Sequence, residues 1–434
     1  MIGEVDRNKV EIIDFLLNLI KFKTASQNPS DEFFTTGIKD CIDFLEKTFD
    51  QMGLQRKKWL AKPMTFTEHP VLFGALKGIG GGSSIALNGH VDVVPVGDLS
   101  SWSHDPWSGE VSGEKIWGRG TADMKGGISA MIQAVRILQN CGFELKGDVF
   151  FHIVTDEEVV GFGSRQCAEK LPRPDFVIVT EPTNLNILPA VSGLEHLRIE
   201  INGVETHAGQ RYASIYPQKK EAKNSGINAI EKGIKIIKTL QELENDWAIS
   251  KHHPLLPPGF NTILPGYITG GPGGGKDGRL NMISNPGTTP SYCAIEYNIW
   301  YYPDETLEEI KSAIENCISS ICKYDSWLKN NPPKLTWNLR NISFPPANTN
   351  PDHPAINVLK ESCNDLLQSA KIKGAAYAAD LSWYAEKGIP GAIFGPGDIS
   401  QAHTTDEFVM VDSYLKSVEI IALSILRWCK YKEK

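Results

Sequence analysis

The sequence predicts an α/β domain, with a mixed, mostly parallel sheet flanked by helices, that is interrupted by an inserted α+β sandwich domain. In the first half, short apolar runs typical of buried strands alternate with helical patterns, as in parallel sheets. From about residue 190, several alternating strands follow one another with two helices among them. The segment 346–434 then returns to the earlier pattern. We therefore predict that residues 1–190 and 346–434 form one domain and that residues 191–345 form the insertion.

The first part of the α/β domain contains three predicted strands and a predicted helix between the first two. The strands are the apolar runs Ile85–Leu87, Val149–Val154 and Phe176–Val179. The helix is Gly127–Gln139, where apolar residues recur at helical spacing. The N-terminal segment Met1–Phe22 mixes acidic and apolar residues, which favours an amphipathic helix over a signal peptide.

The same hydrophobic patterns predict the elements of the insertion and of the last part of the chain. For the insertion we predict four strands, at Leu197–Ile201, Phe260–Thr269, Cys293–Tyr302 and Leu335–Leu339. We also predict two helices there, at Asn228–Leu243 and Glu305–Ile321. For the segment 346–434 we predict helices at Leu359–Leu367 and Val411–Trp428 and a strand at Gly391–Phe394.

Composition excludes several classes of protein. The 434 residues include 44 Lys and Arg against 52 Asp and Glu, and this net charge of −8 argues against a nucleic-acid partner or an anionic membrane. No apolar run approaches the ~18 residues that a membrane span requires. The eight cysteines contain no C-x-x-C pair, which predicts free thiols and a cytoplasmic protein.

Acidic and imidazole side chains follow the predicted strands. The carboxyl ends of strands in open α/β sheets converge on one crevice, so we expect these side chains to lie close together. Each is weak evidence alone, and their shared position after successive strands makes the pattern informative. In chain order they are His90 and Asp92, Asp123, Glu157 and Glu158, Glu181, and His403.

So many carboxylates in one crevice would resist joint ionisation, because each raises the pKa of the others. Two divalent cations would remove this repulsion. Imidazole and carboxylate ligands without thiolate favour zinc, cobalt or manganese over calcium or magnesium.

Two spacings suggest roles within such a centre. Residues i and i+2 of a strand share a face, so Asp92 can accept the spare N–H of His90 and fix its tautomer. In the Glu157-Glu158 pair, one residue can bind metal while the other acts as a base on a metal-bound water, whose pKa zinc lowers to about 7.

Motifs along nearly the whole chain resemble the zinc metallopeptidase and deacylase family of acetylornithine deacetylase, succinyl-diaminopimelate desuccinylase, aminoacylase and carboxypeptidase G. The motifs occur in the order of the family. They are Asn88-Gly-His-Val-Asp92, Gly118-Arg-Gly-Thr-Ala-Asp-Met-Lys-Gly-Gly127, Thr155-Asp-Glu-Glu158, Thr180-Glu-Pro182, Gly203-Val-Glu-Thr-His-Ala-Gly209, Gly395-Pro-Gly397 and His403-Thr-Thr-Asp-Glu407.

The resemblance implies a role for each candidate. His90, Asp123 and Glu181 would bind one zinc, and Asp123, Glu158 and His403 the other. Asp92 would support His90, and Glu157 would be the general base and acid. His207 would stabilise the oxyanion from the inserted lid domain, and in dimeric members this histidine reaches the active site of the other subunit. We therefore expect a homodimer that associates through the lid domain.

The resemblance also implies an activity, which is removal of the acyl group from an N-acyl amino acid by an acetylornithine deacetylase-like amidohydrolase. A metallo-dipeptidase or carboxypeptidase acting on a short peptide is the alternative, and a catalytically silent binding protein is the third. Related desuccinylases grip a substrate carboxylate with an Arg of the lid. Here Trp300 stands at that position, and Arg279 is a candidate to replace it.

Overall fold

The chain forms two compact units in a computed structural model that describes residues 2–25, 32–61, 69–159, 161–215, 226–273, 286–367, 369 and 371–432. The split unit comprises Met1–Val191 and Ala347–Lys434, and the inserted unit comprises Ser192–Pro346. In chain order the helices are α1 Ile2–Arg7, α2 Lys9–Ile20, α3 Glu32–Gln51, α4 Lys125–Asn140, α5 Phe162–Lys170, α6 Arg211–Ile215, α7 Ala229–Ser250, α8 Leu307–Tyr324, α9 Pro354–Leu366, α10 Leu381–Glu386 and α11 Val411–Cys429.

The strands belong to three sheets. In chain order they are β1 Gln55–Ala61, β2 His69–Leu76, β3 Ile85–His90, β4 Glu110–Ser112, β5 Lys115–Trp117, β6 Val149–Val154, β7 Phe176–Val179, β8 Ile187–Val191, β9 Gly193–Asn202, β10 Thr262–Gly271, β11 Tyr292–Tyr301, β12 Lys334–Trp337, β13 Ser343–Phe344, β14 Ala347–Asn348, β15 Ile372–Ala375, β16 Gly391–Ile393 and β17 Phe408–Met410.

The main sheet of the split unit has nine strands within the described ranges, in the order β1-β2-β6-β3-β7-β16-β8-β14 with β15 also on β8. Its centre is parallel, because β3 pairs with β6 and β7, and β7 pairs with β16. Antiparallel strands β1 and β2 form one edge. This arrangement, with a separate antiparallel sheet in the inserted unit, confirms the predicted fold class.

Both faces of the central strands are covered, which explains their unbroken apolar sequences. On β3, Leu87 packs into one hydrophobic core and Ala86 into a second on the opposite face. On β6, Phe151 and Phe150 divide in the same way. Helices α2, α4, α9 and α11 contribute to the first core, and α5 and α10 to the second. The polar groups at the strand ends are therefore held by a rigid base.

A small sheet, β17-β5-β4, lies apart from the main one in the strand pairing. The segment Lys115–Trp117, which precedes Asp123 in the chain, belongs here as β5, and it pairs antiparallel with β4 and β17. The expectation that Asp123 follows a strand of the main sheet is therefore wrong. Asp123 reaches its position from the loop between this small sheet and α4.

The inserted unit contains an antiparallel sheet in the order β10-β11-β9-β12, with β13 also on β9. Leu197, Ile199 and Ile201 of β9 are buried in a core that includes apolar residues of α7 and α8. Helix α7 begins after Asn228, whose side chain accepts the N–H groups of Ile230 and Glu231. The helix runs past the predicted end at Leu243.

All eight cysteines are free. Among the described residues, no helix combines the length and the apolar character that crossing a bilayer requires.

Candidate metal centre

Four candidate side chains stand at the carboxyl ends of three parallel neighbours. His90 is the last residue of β3. Glu157 and Glu158 follow the end of β6 at Val154, and Glu181 follows the end of β7 at Val179. The register places His90 opposite Val154, so the strand ends are level. As predicted from the sheet, the three segments deliver their polar groups to one place.

Asp123 comes from the turn before α4. The start of α4 lies close to the segment that follows β7 and carries Glu181. A Cβ on Gly127 would come within 1.8 Å of the main-chain oxygen of Thr180. Only glycine permits this contact.

His403 comes from the loop between β16 and β17. Its φ of 62° is left-handed, which is unusual for a residue other than glycine, and its side chain is 55% exposed. Such conformations concentrate at functional sites.

The first candidate ligand group consists of His90, Asp123 and Glu181. The Nε2 atom of His90 lies 3.2 Å from Oδ1 of Asp123 and 3.3 Å from Oε1 of Glu181. All three side chains are almost fully buried.

The second group consists of Asp123, Glu158 and His403. The Nε2 atom of His403 lies 3.4 Å from Oδ2 of Asp123 and 3.1 Å from Oε2 of Glu158. Asp123 thus presents one carboxylate oxygen to each imidazole, and it is the residue that the two groups share.

The donor set fits divalent metal ions. His90 Nε2 is buried and forms no hydrogen bond within the described structure. His90 Nδ1 lies 2.8 Å from the main-chain carbonyl oxygen of Asp92. A carbonyl can only accept, so Nδ1 carries the hydrogen and a neutral ring offers the lone pair of Nε2 to a metal.

Asp92 supports the centre in a different way from the predicted one. Its carboxylate was expected to accept from His90, but Oδ1 lies 3.5 Å from Nδ1 and the hydrogen bond goes to the Asp92 carbonyl. The reason is that β3 ends at His90, so the strand geometry does not extend to Asp92. The carboxylate instead accepts the N–H of Glu158 at 3.1 Å, which links Asp92 to the second group.

Glu157 lies beside the ligands but belongs to neither group. Its Oε2 is 3.9 Å from His90 Nε2, and its side chain is 14% exposed. Burial raises the pKa of Glu157 well above its ordinary value, and the neighbouring carboxylates of Glu181 and Glu158 add to this rise. A carboxyl group that is free of the ligand groups and has a raised pKa is suited to proton transfer.

The titration of the metal-free cluster shows how strongly its charges interact. Burial, with the Asp123 carboxylate, raises the pKa of Glu181 to about 7. Hydrogen bonds to Asp123 and Glu158 raise the pKa of His403 to about 10. Burial opposes protonation of His90, yet the surrounding carboxylates raise its pKa well above the ordinary value. In the absence of metal, protons therefore supply the positive charge that the carboxylates require.

Two other predicted residues belong to the inserted unit and a third lies outside the described residues. His207 is exposed and precedes a short 3-10 helix, Ala208–Gln210. Its Nδ1 accepts the N–H of Gly209 at 3.1 Å, so its hydrogen is on Nε2. Trp300 is on β11, and its ring packs edge-on against Phe260 at 6.0 Å. Arg279 lies outside the described residues.

Sequence reasoning missed Glu407, which is fully buried and accepts the main-chain N–H groups of Ala122 at 2.8 Å and Asp123 at 3.1 Å. The only sequence signal was its place at the end of the last motif.

Comparison with known proteins agrees with this geometry. Residues 86–427 match the model of peptidase family M20/M25/M40. The chain is 30% identical, over all of its length and 98% of the relative, to N-formyl-4-amino-5-aminomethyl-2-methylpyrimidine deformylase of Halalkalibacterium halodurans. It is 25% identical, over 97% of its length and 98% of the relative, to a probable succinyl-diaminopimelate desuccinylase of Staphylococcus aureus.

Among solved structures, the aminopeptidase PepT from Bacillus cereus superposes with a TM-score of 0.70 at 18% identity, covering 98% of this chain and 99% of that one. The match of the family model over most of the chain shows that the protein belongs to the M20/M25/M40 family of peptidases. It is a hydrolase that acts on amide bonds, and the predicted family resemblance is confirmed.

The pKa shifts predict how the metal-free protein responds to pH. Glu181 has a folded pKa of about 7 against an ordinary 4.5, so between these values the folded chain binds more protons than the unfolded chain. Its contribution to the free energy of unfolding therefore falls as pH rises from 4.5 to about 7. The raised pKa of His403 acts in the same direction, since the stability that it adds is lost as pH rises toward 10.

Urea denaturation of chelator-treated protein across this range should show the decline, and Glu181→Gln should show a smaller one. Saturating zinc is the control and should largely abolish it, because metal replaces the protons. Equal pH slopes for the metal-free wild type and Glu181→Gln would contradict the assignment.

Proposed function

We propose that this protein is a two-metal amidohydrolase that removes the acyl group from a small N-acyl compound. The observation that carries the proposal is the sharing of Asp123 between two ligand groups, with Glu157 beside them and outside both. This arrangement provides two cation sites and a separate proton carrier.

His90, Asp123 and Glu181 would hold one metal ion, and Asp123, Glu158 and His403 the other. We propose zinc, because imidazole and carboxylate ligands suit it, with cobalt or manganese as alternatives. When bound, such ions act as Lewis acids toward the amide carbonyl and lower the pKa of water.

Glu157 carries the proton through the reaction. Its carboxylate accepts a proton from the attacking water and then donates it to the nitrogen of the leaving amine. Both steps require a carboxylate with a free oxygen, which agrees with the position of Glu157 outside the ligand groups.

We assign the oxyanion contact to His207. The bond from Gly209 N–H occupies Nδ1, so Nε2–H is the donor that this imidazole offers. A donor of this kind stabilises the charge that develops on the carbonyl oxygen in the transition state.

N-acyl amino acids such as acetylornithine are one candidate class of substrate, since the family resemblance points to them. The other candidate, which we favour, is a formylated aminomethylpyrimidine, and two observations support it. The deformylase of H. halodurans shares 30% identity over the whole chain. The uncharged indole of Trp300 stands where the resemblance places a carboxylate-binding Arg in related desuccinylases, and it offers a substrate carboxylate no ion pair.

We also propose that the protein is a cytoplasmic homodimer that associates through the inserted unit. Eight free cysteines fit a reducing compartment. Strand β10 is an edge of its sheet within the described residues, and it exposes Leu264, Tyr267 and Ile268. An exposed apolar edge of this kind favours pairing with a second copy.

Glu157→Gln tests the proton carrier. The amide cannot accept a proton, so kcat should fall about 10²–10⁴-fold while both metals remain bound. Glu158→Gln is the contrasting variant, because it should lose metal from the second group as well as activity. Turnover of Glu157→Gln at the wild-type rate, with metal content measured on the same sample, would rule out the assigned role.

His207→Ala tests the oxyanion donor. Removing a donor to the oxyanion should lower kcat about 10²–10³-fold with little change in KM. His252→Ala is the matched control, because His252 is an exposed histidine of the same unit. An effect confined to KM would contradict the proposed role.

A substrate panel tests the activity itself. The rates of hydrolysis of the formylated aminomethylpyrimidine, N-acetylornithine, N-succinyl-diaminopimelate and several dipeptides should be compared as kcat/KM with zinc present. We expect the formylated pyrimidine to give the highest value, and Glu157→Gln serves as the blank for contaminating hydrolases. A preference for dipeptides would replace the deacylase assignment, and full activity after removal of metal would refute the two-metal chemistry.

A further inference from the structure

Glu407 organises the turn that carries Asp123. One carboxylate oxygen accepts the N–H groups of Ala122 at 2.8 Å and Asp123 at 3.1 Å. The other accepts Arg119 Nη1 at 2.6 Å and the N–H of Gly120 at 3.1 Å. All four acceptor positions of the carboxylate are thus used, three of them by the backbone of one short turn.

The negative charge of Glu407 is balanced inside the protein. Arg119 is only 2% exposed, and its guanidinium also lies 5.2 Å from the ring centre of Trp102. The main-chain oxygen of Glu407 accepts the N–H of Gly118 at 2.9 Å, so the same residue holds both ends of the turn. The turn cannot shift without breaking several of these bonds together.

Glu407 also lies four residues after His403 in the chain. It therefore connects the turn that supplies Asp123 to the loop that supplies His403. These two ligands meet in the second group, where Asp123 Oδ2 and His403 Nε2 are 3.4 Å apart.

We propose that Glu407 is a positioning residue that orients Asp123 and holds it in register with His403, so that the second group can bind its metal ion. This inference rests on the proposed two-metal function. It assigns no contact between Glu407 and the substrate or the metals.

The second group should depend on Glu407 more than the first. His90 and Glu181 are fixed by buried strands, and their side chains are 0% and 6% exposed. His403 is 55% exposed and lies in a loop, so its position relative to Asp123 depends more on local hydrogen bonds. Loss of the Glu407 contacts should therefore release the second metal first.

Glu407→Gln is the informative variant because it conserves size. Its amide oxygen can still accept two N–H groups, but its NH₂ would face either Arg119 and Gly120 or Ala122 and Asp123, none of which can accept from it. One side of the turn must therefore move. Partners of metal ligands typically change metal affinity 10–100-fold when they are removed.

The test is calorimetric titration of the full-length, metal-free protein with zinc, together with the visible spectrum during titration with cobalt. We expect two metals per chain for the wild type. For Glu407→Gln we expect the first affinity to change little and the second to weaken at least tenfold. With cobalt, the spectral change that accompanies binding of the second equivalent should require a higher total metal concentration in Glu407→Gln than in the wild type.

Glu195→Gln is the matched control. Glu195 is also a fully buried glutamate that accepts main-chain N–H groups, from His196 and Asn338, but it lies in the inserted unit. We expect this variant to lose thermal stability and to keep both metal affinities. A purely structural role for Glu407 would make the two variants alike in metal binding.

The outcomes separate this inference from the proposed function. Two metals bound with wild-type affinities by Glu407→Gln overturn the inference alone. A wild-type chain that binds fewer than two metals overturns the proposed function and the inference with it. If Glu407→Gln does not fold, Glu407→Asp takes its place, since its shorter carboxylate keeps the charge but cannot reach both pairs of donors. Unchanged binding by a folded Glu407→Asp then overturns the inference.

Discussion

The carboxylates of Asp123, Glu157, Glu158 and Glu181 can occupy one buried pocket only if positive charge lies among them. Asp123 lies between the two positive groups, because each of its carboxylate oxygens faces a different imidazole. The nearby imidazoles of His403 and His90 lower the pKa of Asp123 although burial opposes ionisation, whereas the pKa values of Glu157 and Glu181 are raised. The fold holds these groups at fixed distances, and divalent cations or protons must balance them. The same repulsion keeps Glu157 able to exchange a proton.

The sequence predicted the part of this pocket that a sheet determines. Central strands buried on both faces have short apolar sequences, and their parallel pairing makes their ends level. A prediction of β3, β6 and β7 was therefore also a prediction that His90, Glu157 and Glu181 meet. Edge strands β1 and β2 were missed, and the charged, exposed residues of β1 lack the apolar pattern that revealed the central strands.

Features set by turns could not be predicted in the same way. The sequence does not show that Lys115–Trp117 belongs to a separate small sheet, nor that Glu407 meets the main chain near Asp123, 284 residues away. Such contacts depend on tertiary packing, and hydrophobic periodicity carries no information about them. The link between His90 and Asp92 was predicted in kind, but the end of β3 changed the accepting atom from carboxylate to carbonyl.

The split unit draws its ligands from two stretches of chain that are separated by the whole inserted unit. During translation, His90, Asp123 and Glu181 leave the ribosome well before His403, and the inserted unit is completed in between. Because domains generally fold as units while synthesis proceeds, the inserted unit can mature while the pocket still lacks its last imidazole. The ligand group without His403 already has all of its side chains in a nascent chain that ends at residue 346. Cation capture by the group that contains His403 must await the final segment.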